Sequence, residues 1–273
     1  MRTILVHLAY DDFRHRRIES AVALAARHKA HLVGLYTKSP YVTPPAIVGR
    51  GASAVFVREM EASAAENAQD VAAEFCKAIE HAGLAGDFKH QPGDPMDAIA
   101  AASRYADLVV VSQTPPETLE DVLTGRRPDH AALITPCPVL IVPHAGAQTE
   151  IGKRVLIAWK PTREAARAVR DAIPILHKAS DVTILTVEAA EAKSGSGEAL
   201  AAFLARHGIG AALRPDYGDE DDVGDVILSH ARDMSADLVV MGAYGKPHMR
   251  EVILGGATER VITTSTVHAL MSH

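Results

Sequence analysis

The chain reads Ala106-Asp-Leu-Val-Val-Val-Ser112 in its first half and Ala236-Asp-Leu-Val-Val-Met-Gly242 in its second half. The beginnings of the two halves also match, since Arg2-Thr-Ile-Leu-Val-His-Leu8 is similar to Lys153-Arg-Val-Leu-Ile-Ala-Trp159. A repeat on this scale indicates two copies of one folded unit, whose positions can be compared with each other.

The size and composition of the chain are typical of a globular protein with two domains. Its 273 residues are 48% hydrophobic and 23% charged, with a net charge of −6. One compact domain per copy fits this length, and we predict domains over residues 1–146 and 152–273. The acidic balance disfavours a nucleic-acid partner, which normally requires a basic surface. No stretch approaches the ~18 apolar residues that span a bilayer, so no membrane partner is expected.

The cysteines of the chain indicate the cellular compartment in which the protein is expected. Cys76 and Cys137 are the two cysteines of the chain, and neither belongs to a Cys-x-x-Cys pair. Two such thiols make no disulfide framework. We interpret both as buried free thiols, which is consistent with a cytoplasmic location.

Strand and helix patterns alternate along both halves. The predicted strands cover residues 4–8, 32–36, 87–90, 108–112 and 139–142, then 155–159, 182–187, 211–214, 238–241 and 267–271. A long helix is predicted over 57–82, after a loop over 39–55. Such alternation produces parallel sheets covered by helices on both faces. The predicted fold is α/β, with two tandem doubly wound domains, each a five-stranded parallel sheet with helices on both faces.

A glycine pattern follows the strand over 238–241. It runs Gly242-x2-Gly245-x9-Gly255, and Gly256 and Ala257 then open a predicted helix. Glycine lets the backbone approach a phosphate closely, and amide groups at a helix start donate to it. The pattern favours a phosphate held between Gly242, Gly245 and the amides of Gly255–Ala257, with Lys246 adding positive charge. The alternative that these glycines only make tight turns stays open.

The run Asp237-Leu-Val-Val-Met-Gly-Ala-Tyr-Gly245, followed after nine residues by Gly255, resembles the universal stress protein A family. ATP-binding members of that family carry Gly-x2-Gly-x9-Gly-(Ser/Thr). The resemblance covers nearly the whole chain in two copies, as in a tandem universal stress protein. It implies a five-stranded parallel sheet per domain, with phosphates on the glycine loop and adenine near the ends of the first two strands. It also implies that the two halves pair through their last strands, and it leaves a homodimer open.

The resemblance places the nucleoside beside the first two strands of the second half. The residues expected to border base and ribose are Ala158, Trp159, Lys160 and Val187. The chain departs from the family pattern at Gly256, which stands where the family has Ser or Thr. Lys160 and, in the first half, Ala9 stand where ATP-binding members carry an acidic residue.

The first copy has lost more of the glycine pattern. Aligning Val111 with Met241 puts Ser112 and Pro115 at the first two glycine positions, and Gly125 alone remains. Proline removes an amide donor and fixes φ, so it suits a phosphate loop poorly. We interpret the N-terminal domain as a degenerate, structural or regulatory copy.

Three hypotheses for function follow. The first is a stress-response module that binds ATP or another adenine nucleotide, with accompanying Mg²⁺, in its C-terminal domain and signals through occupancy. The second is a weak ATPase, although the sequence shows no positioned general base. The third is an interaction protein without nucleotide. No catalytic residue and no protein metal site are predicted, and the acidic run over 216–222 is interpreted as a solvated turn.

Overall fold

The structure is a computed structural model that describes residues 1–38, 52–113, 128–146, 150–188, 195–217, 222–243 and 256–273. Its strands are β1 Thr3–Leu8, β2 His31–Lys38, β3 Gly86–Pro92, β4 Leu108–Ser112, β5 Val139–Val142, β6 Arg154–Trp159, β7 Asp181–Glu188, β8 Ala212–Tyr217, β9 Leu238–Gly242 and β10 His268–Ser272. Its α-helices are α1 Arg14–His28, α2 Ala52–His81, α3 Pro95–Ala102, α4 Arg163–Leu176, α5 Ser196–Arg206, α6 Val223–Asp233 and α7 Ala257–Thr264. Among the described residues, 3-10 helices span Ser103–Tyr105 and Pro128–Leu133.

All the strands listed above belong to one sheet, in the order β3-β2-β1-β4-β5-β10-β9-β6-β7-β8. Neighbours within each half are parallel, and β5 and β10 pair antiparallel, with Leu140 opposite Leu270. The predicted fold class is therefore confirmed, and so is the predicted pairing of the last strands within the chain. Strand order reverses at β1/β4 and again at β6/β9. Ligands of doubly wound sheets bind beyond the carboxyl ends of the strands at such switch points.

Both faces of the sheet are covered by helices, so the central strands are apolar on both sides. Alternate side chains of a strand point to opposite faces. On one face Ile4, Val6 and Leu8 of β1 pack with α1 and α2, and the same face of the second half packs with α4 and α5. The other face contains Leu5 of β1 and packs against α3, α6 and α7. We call these the first face and the second face.

The repeated Ala-Asp dipeptide has a structural role in both halves. Asp237 accepts from the amides of Gly152 at 2.6 Å, Lys153 at 3.0 Å and Arg154 at 2.8 Å, and so fixes the start of β6. Asp107 accepts in the same way from the amides of Arg2 and Thr3 before β1. The amide of Arg2 lowers the pKa of Asp107. Burial raises the pKa of Asp237, against the effect of its amide donors.

Several local predictions were wrong. Helix α2 begins at Ala52 instead of residue 57. Gly51 is the last glycine or proline before this helix in the sequence, and Ala52 has the highest helix propensity, so the helix can begin there. Cys76 is exposed, since it lies on the outer side of α2, whereas burial raises the pKa of the half-buried Cys137 thiol to about 11. Strand β8 continues to Tyr217 because it lies at the sheet edge, where Pro215 costs no ladder hydrogen bond.

Candidate functional site

The carboxyl ends of β6, β7 and β9 meet at one edge of the second half. Ala158 of β6 lies between Leu185 of β7 and Met241 of β9 in the strand register. Val187 lies two residues further along β7, and Gly242 is the last residue of β9. The sequence-predicted residues on these three strands therefore share one edge of the sheet, at the switch point.

The side chains of this edge are divided between the two faces. Ala158, Val187 and Ala257 all pack against the second face, so they belong to one side of the sheet. Trp159 packs against the first face, and its indole Nε1 is buried without a hydrogen-bond partner among the described residues. The structure thus brings Ala158, Val187 and the start of α7 to one face and separates Trp159 from them.

The close packing of α4 against the end of β9 favours glycine at position 242. A Cβ at this position would lie 2.5 Å from the amide nitrogen of Ala165 and 2.7 Å from the carbonyl carbon of Glu164, both backbone atoms in the first turn of α4. The next amide, that of Ala243, donates to the carbonyl of Ser272 at 2.8 Å. Gly242 therefore sets how closely α4 approaches the end of β9.

Helix α7 begins at this edge without a side-chain cap. Its N-cap residue is Gly256, in an extended conformation with φ −161° and ψ 165°, and Ala257 is the first helical residue. Helix α7 packs closely on α6, because a Cβ on Gly224 would lie 2.6 Å from the Cβ of Arg260. Arg260 also pairs with Asp225 of α6 at 2.8 Å. The start of α7 is thus held in place by its neighbour, and neither Gly256 nor Ala257 has a side-chain oxygen or nitrogen to compete for its amides.

Lys160 occupies a short turn between β6 and α4. Its side chain is exposed, and its carbonyl accepts from the amide of Thr162 at 2.7 Å. The Thr162 hydroxyl in turn caps α4 by accepting from Ala165 at 3.3 Å. These hydrogen bonds stabilise the turn at the sheet edge, where the chain has Lys160 and no carboxylate.

An acidic residue that the sequence analysis assigned to a solvated turn lies beside Val187. Asp216 of β8 pairs with Val187 in the register, and its Oδ2 lies 2.6 Å from Nε2 of His230 on α6. This hydrogen bond lowers the pKa of Asp216. The sequence predicted a solvated acidic turn over 216–222, whereas Asp216 lies in the edge strand β8. Recognising an edge strand, which tolerates proline, was the signal that could have placed Asp216 in the sheet.

The same positions in the first half are occupied by hydrogen-bonded side chains. Ile4 opposite Leu108 matches Val155 opposite Leu238, so His7 corresponds to Ala158. By the β1–β2 and β6–β7 registers, Thr37 corresponds to Val187. His7 Nε2 lies 2.7 Å from Thr37 Oγ1, and the two residues are 3% and 4% exposed. Burial, and then the nearby Arg17, lower the pKa of His7 to about 3.

A buried arginine closes this edge of the first half further. Arg17 of α1 donates to Ser112, the counterpart of Gly242, at 2.9 Å and to Asp11 at 2.8 Å. The first half therefore fills its own switch point with polar side chains. In the second half, Ala158 and Val187 leave the corresponding positions half-buried.

Some predicted positions fall outside the described residues, namely Gly245, Lys246 and Gly255 and, in the first half, Pro115 and Gly125. Within the described ranges, no group of three or more His, Cys, Asp or Glu side chains is placed to hold a metal ion. No described helix is both long enough and apolar enough to cross a membrane.

The fold and this edge define an α/β protein of the doubly wound class, built as two copies around one continuous sheet. The model of the universal stress protein family matches residues 1–143 and 216–273. The chain therefore belongs to the universal stress protein family, as a tandem-type member.

Solved structures show the same architecture. A universal stress protein from Archaeoglobus fulgidus DSM 4304 is 20% identical over 99% of this chain and 95% of that chain, with a TM-score of 0.78. A functionally unknown protein from Pseudomonas aeruginosa PAO1 is 20% identical over 100% of this chain and 92% of that chain, with a TM-score of 0.63. At these identities the similarity shows the fold. A search among curated proteins finds no match to this chain.

Proposed function

We propose that the second half binds an adenine nucleotide at the carboxyl edge of β6, β7 and β9, and that the chain is a cytoplasmic stress-response module that signals through occupancy. The phosphate group lies at the start of α7, over Gly256 and Ala257. Gly245, Lys246 and Gly255 complete the phosphate site. The nucleoside lies beside Ala158 and Val187, with Lys160 at the rim.

The difference between the two halves is the observation that carries this proposal. At matched register positions the first half has the buried His7–Thr37 hydrogen bond, whereas the second half has Ala158 and Val187, which are half-buried. A ligand needs space and unfilled apolar surface for its base, and small side chains supply both. We therefore assign one site per chain, in the second half.

The start of α7 supplies the chemistry for the phosphate end. Amides of a first helical turn point toward an anion, and the helix dipole favours negative charge there. A glycine N-cap leaves the approach open, because it has no side chain to occupy the same amides. We propose that the Mg²⁺ that accompanies ATP is carried by the phosphates.

We propose binding in preference to hydrolysis. Asp216 is the carboxylate beside Val187, and it is engaged by His230 at 2.6 Å. The other ring nitrogen of His230, Nδ1, is buried, so this imidazole presents no accessible nitrogen to a water molecule. Both carboxylate oxygens of Asp216 are engaged, since Oδ1 also accepts from the amide of Tyr217 at 2.7 Å, and this disfavours Asp216 as a general base.

Calorimetric titration with AMP, ADP and ATP tests the proposal. We expect binding by the wild-type chain and a loss of about tenfold or more in affinity for Gly245→Ala, because a methyl group enters the phosphate loop. Gly210→Ala is the matched control, since a Cβ at Gly210 meets no atom within 4 Å. The proposal is wrong if the wild-type chain binds none of the three nucleotides, or if Gly245→Ala binds as tightly as Gly210→Ala.

A further inference from the structure

The start of α7 carries an acidic residue close to the proposed phosphate site. Glu259 lies in the first turn of α7, three residues after the N-cap Gly256. A glutamate at this position can reach back to the amide of the N-cap residue, as in a capping box. A carboxylate placed there would compete with a phosphate for the same amide and would repel its charge.

A residue from the other half of the chain engages this carboxylate. His130 Nε2 lies 3.3 Å from Glu259 Oε2, and the two side chains are 11% and 17% exposed. His130 belongs to the 3-10 helix Pro128–Leu133, which is anchored by Ala131 and Ala132 in the second-face core. The contact therefore links a core-anchored element of the N-terminal half to the first turn of α7.

We propose that His130 is a positioning residue for the phosphate site of the C-terminal half. It holds the Glu259 carboxylate toward the N-terminal half, which leaves the amides at the start of α7 to the ligand. This inference rests on the proposed function. It gives the degenerate half a defined task, since the site of one half depends on a side chain of the other.

The pairing predicts an effect confined to the phosphate. His130→Ala releases Glu259 toward the α7 amides, so we expect affinity for AMP to fall by about tenfold, the scale of charge effects at a helix start. Adenosine lacks the phosphate, so its affinity should stay unchanged. A purely structural role for His130 would lower both affinities together.

A second substitution identifies the cause. Glu259→Gln removes the competing charge, so the double variant His130→Ala/Glu259→Gln should recover the AMP affinity of Glu259→Gln alone. His15→Ala is the matched control, because His15 also pairs with a glutamate, Glu74, at 3.1 Å but lies in the first half on α1. Thermal unfolding of each variant verifies that the fold is retained.

The outcomes separate the two proposals. If AMP binds wild type and His130→Ala equally, or if both ligands weaken by the same factor, the role of His130 is wrong and the nucleotide site stands. If the wild-type chain binds neither AMP nor adenosine, the proposed function itself fails, and this inference fails with it.

Discussion

Replacing Gly242 by alanine tests how the end of β9 is packed. The new Cβ would lie 2.5 Å and 2.9 Å from the amide nitrogen and Cα of Ala165, and 2.7 Å from the carbonyl carbon of Glu164. These are backbone atoms of α4, so no side chain can rotate away, and the helix itself must shift. Overpacking of this kind costs about 1–3 kcal/mol.

The net effect is smaller than the clash alone. The φ of Gly242 does not lie in the left-handed region, so alanine adds no backbone strain. Lower entropy of the unfolded chain offsets the clash by about 0.4–1 kcal/mol. We therefore expect Gly242→Ala to lower the free energy of unfolding by about 1–2 kcal/mol, and the melting temperature by about 2–8 °C.

Urea and thermal unfolding without nucleotide measure this effect. Gly210→Ala again serves as the control, because its Cβ has open space, and its stability should stay within about 0.5 kcal/mol of wild type or rise slightly. Equal stability of Gly242→Ala and Gly210→Ala would refute the packing argument. It would leave ligand contact as the remaining reason for a glycine at this position.

Two further predictions concern buried ionisable groups. His7, with its pKa lowered from 6.5 to about 3 by burial, stays neutral in the fold while the unfolded chain binds a proton, so stability is full above pH 6.5 and falls as pH drops. At pH 5 the stability lost through His7 is about 2 kcal/mol. In urea unfolding at pH 7.5 and pH 5, the loss of stability between the two pH values should therefore be about 2 kcal/mol smaller for His7→Gln than for wild type. An equal loss in both proteins would contradict the prediction. Asp237→Ala leaves the amides of Gly152, Lys153 and Arg154 without their acceptor, so it should cost about 2–3 kcal/mol in the same assay. Asp107→Ala removes an exposed acceptor of two amides and should cost less; the reverse order would refute the role of burial.

The repeat and the strand–helix alternation were sufficient to predict the doubly wound α/β class, whereas the pairing of β5 with β10 was predicted from the family resemblance. Runs such as Leu238–Met241 are apolar on both faces, which is a property of buried parallel strands and is visible in sequence. The start of the last helix at Ala257 was also predictable, because the glycines mark where the loop ends.

The contacts of the edge were not predictable, since they depend on register and on packing between distant segments. The hydrogen bond between His7 and Thr37 requires the β1–β2 register, and the role of Gly242 requires the approach of α4. The pair of His130 and Glu259 joins the two halves through a 3-10 helix too short to have a recognisable period.

The number of nucleotides bound per chain tests the central claim most directly. Isothermal titration of the wild-type chain with AMP should give one site per chain, because His7, Thr37 and Arg17 occupy the switch point of the first half. Two equivalent sites, or no binding at all, would contradict the account.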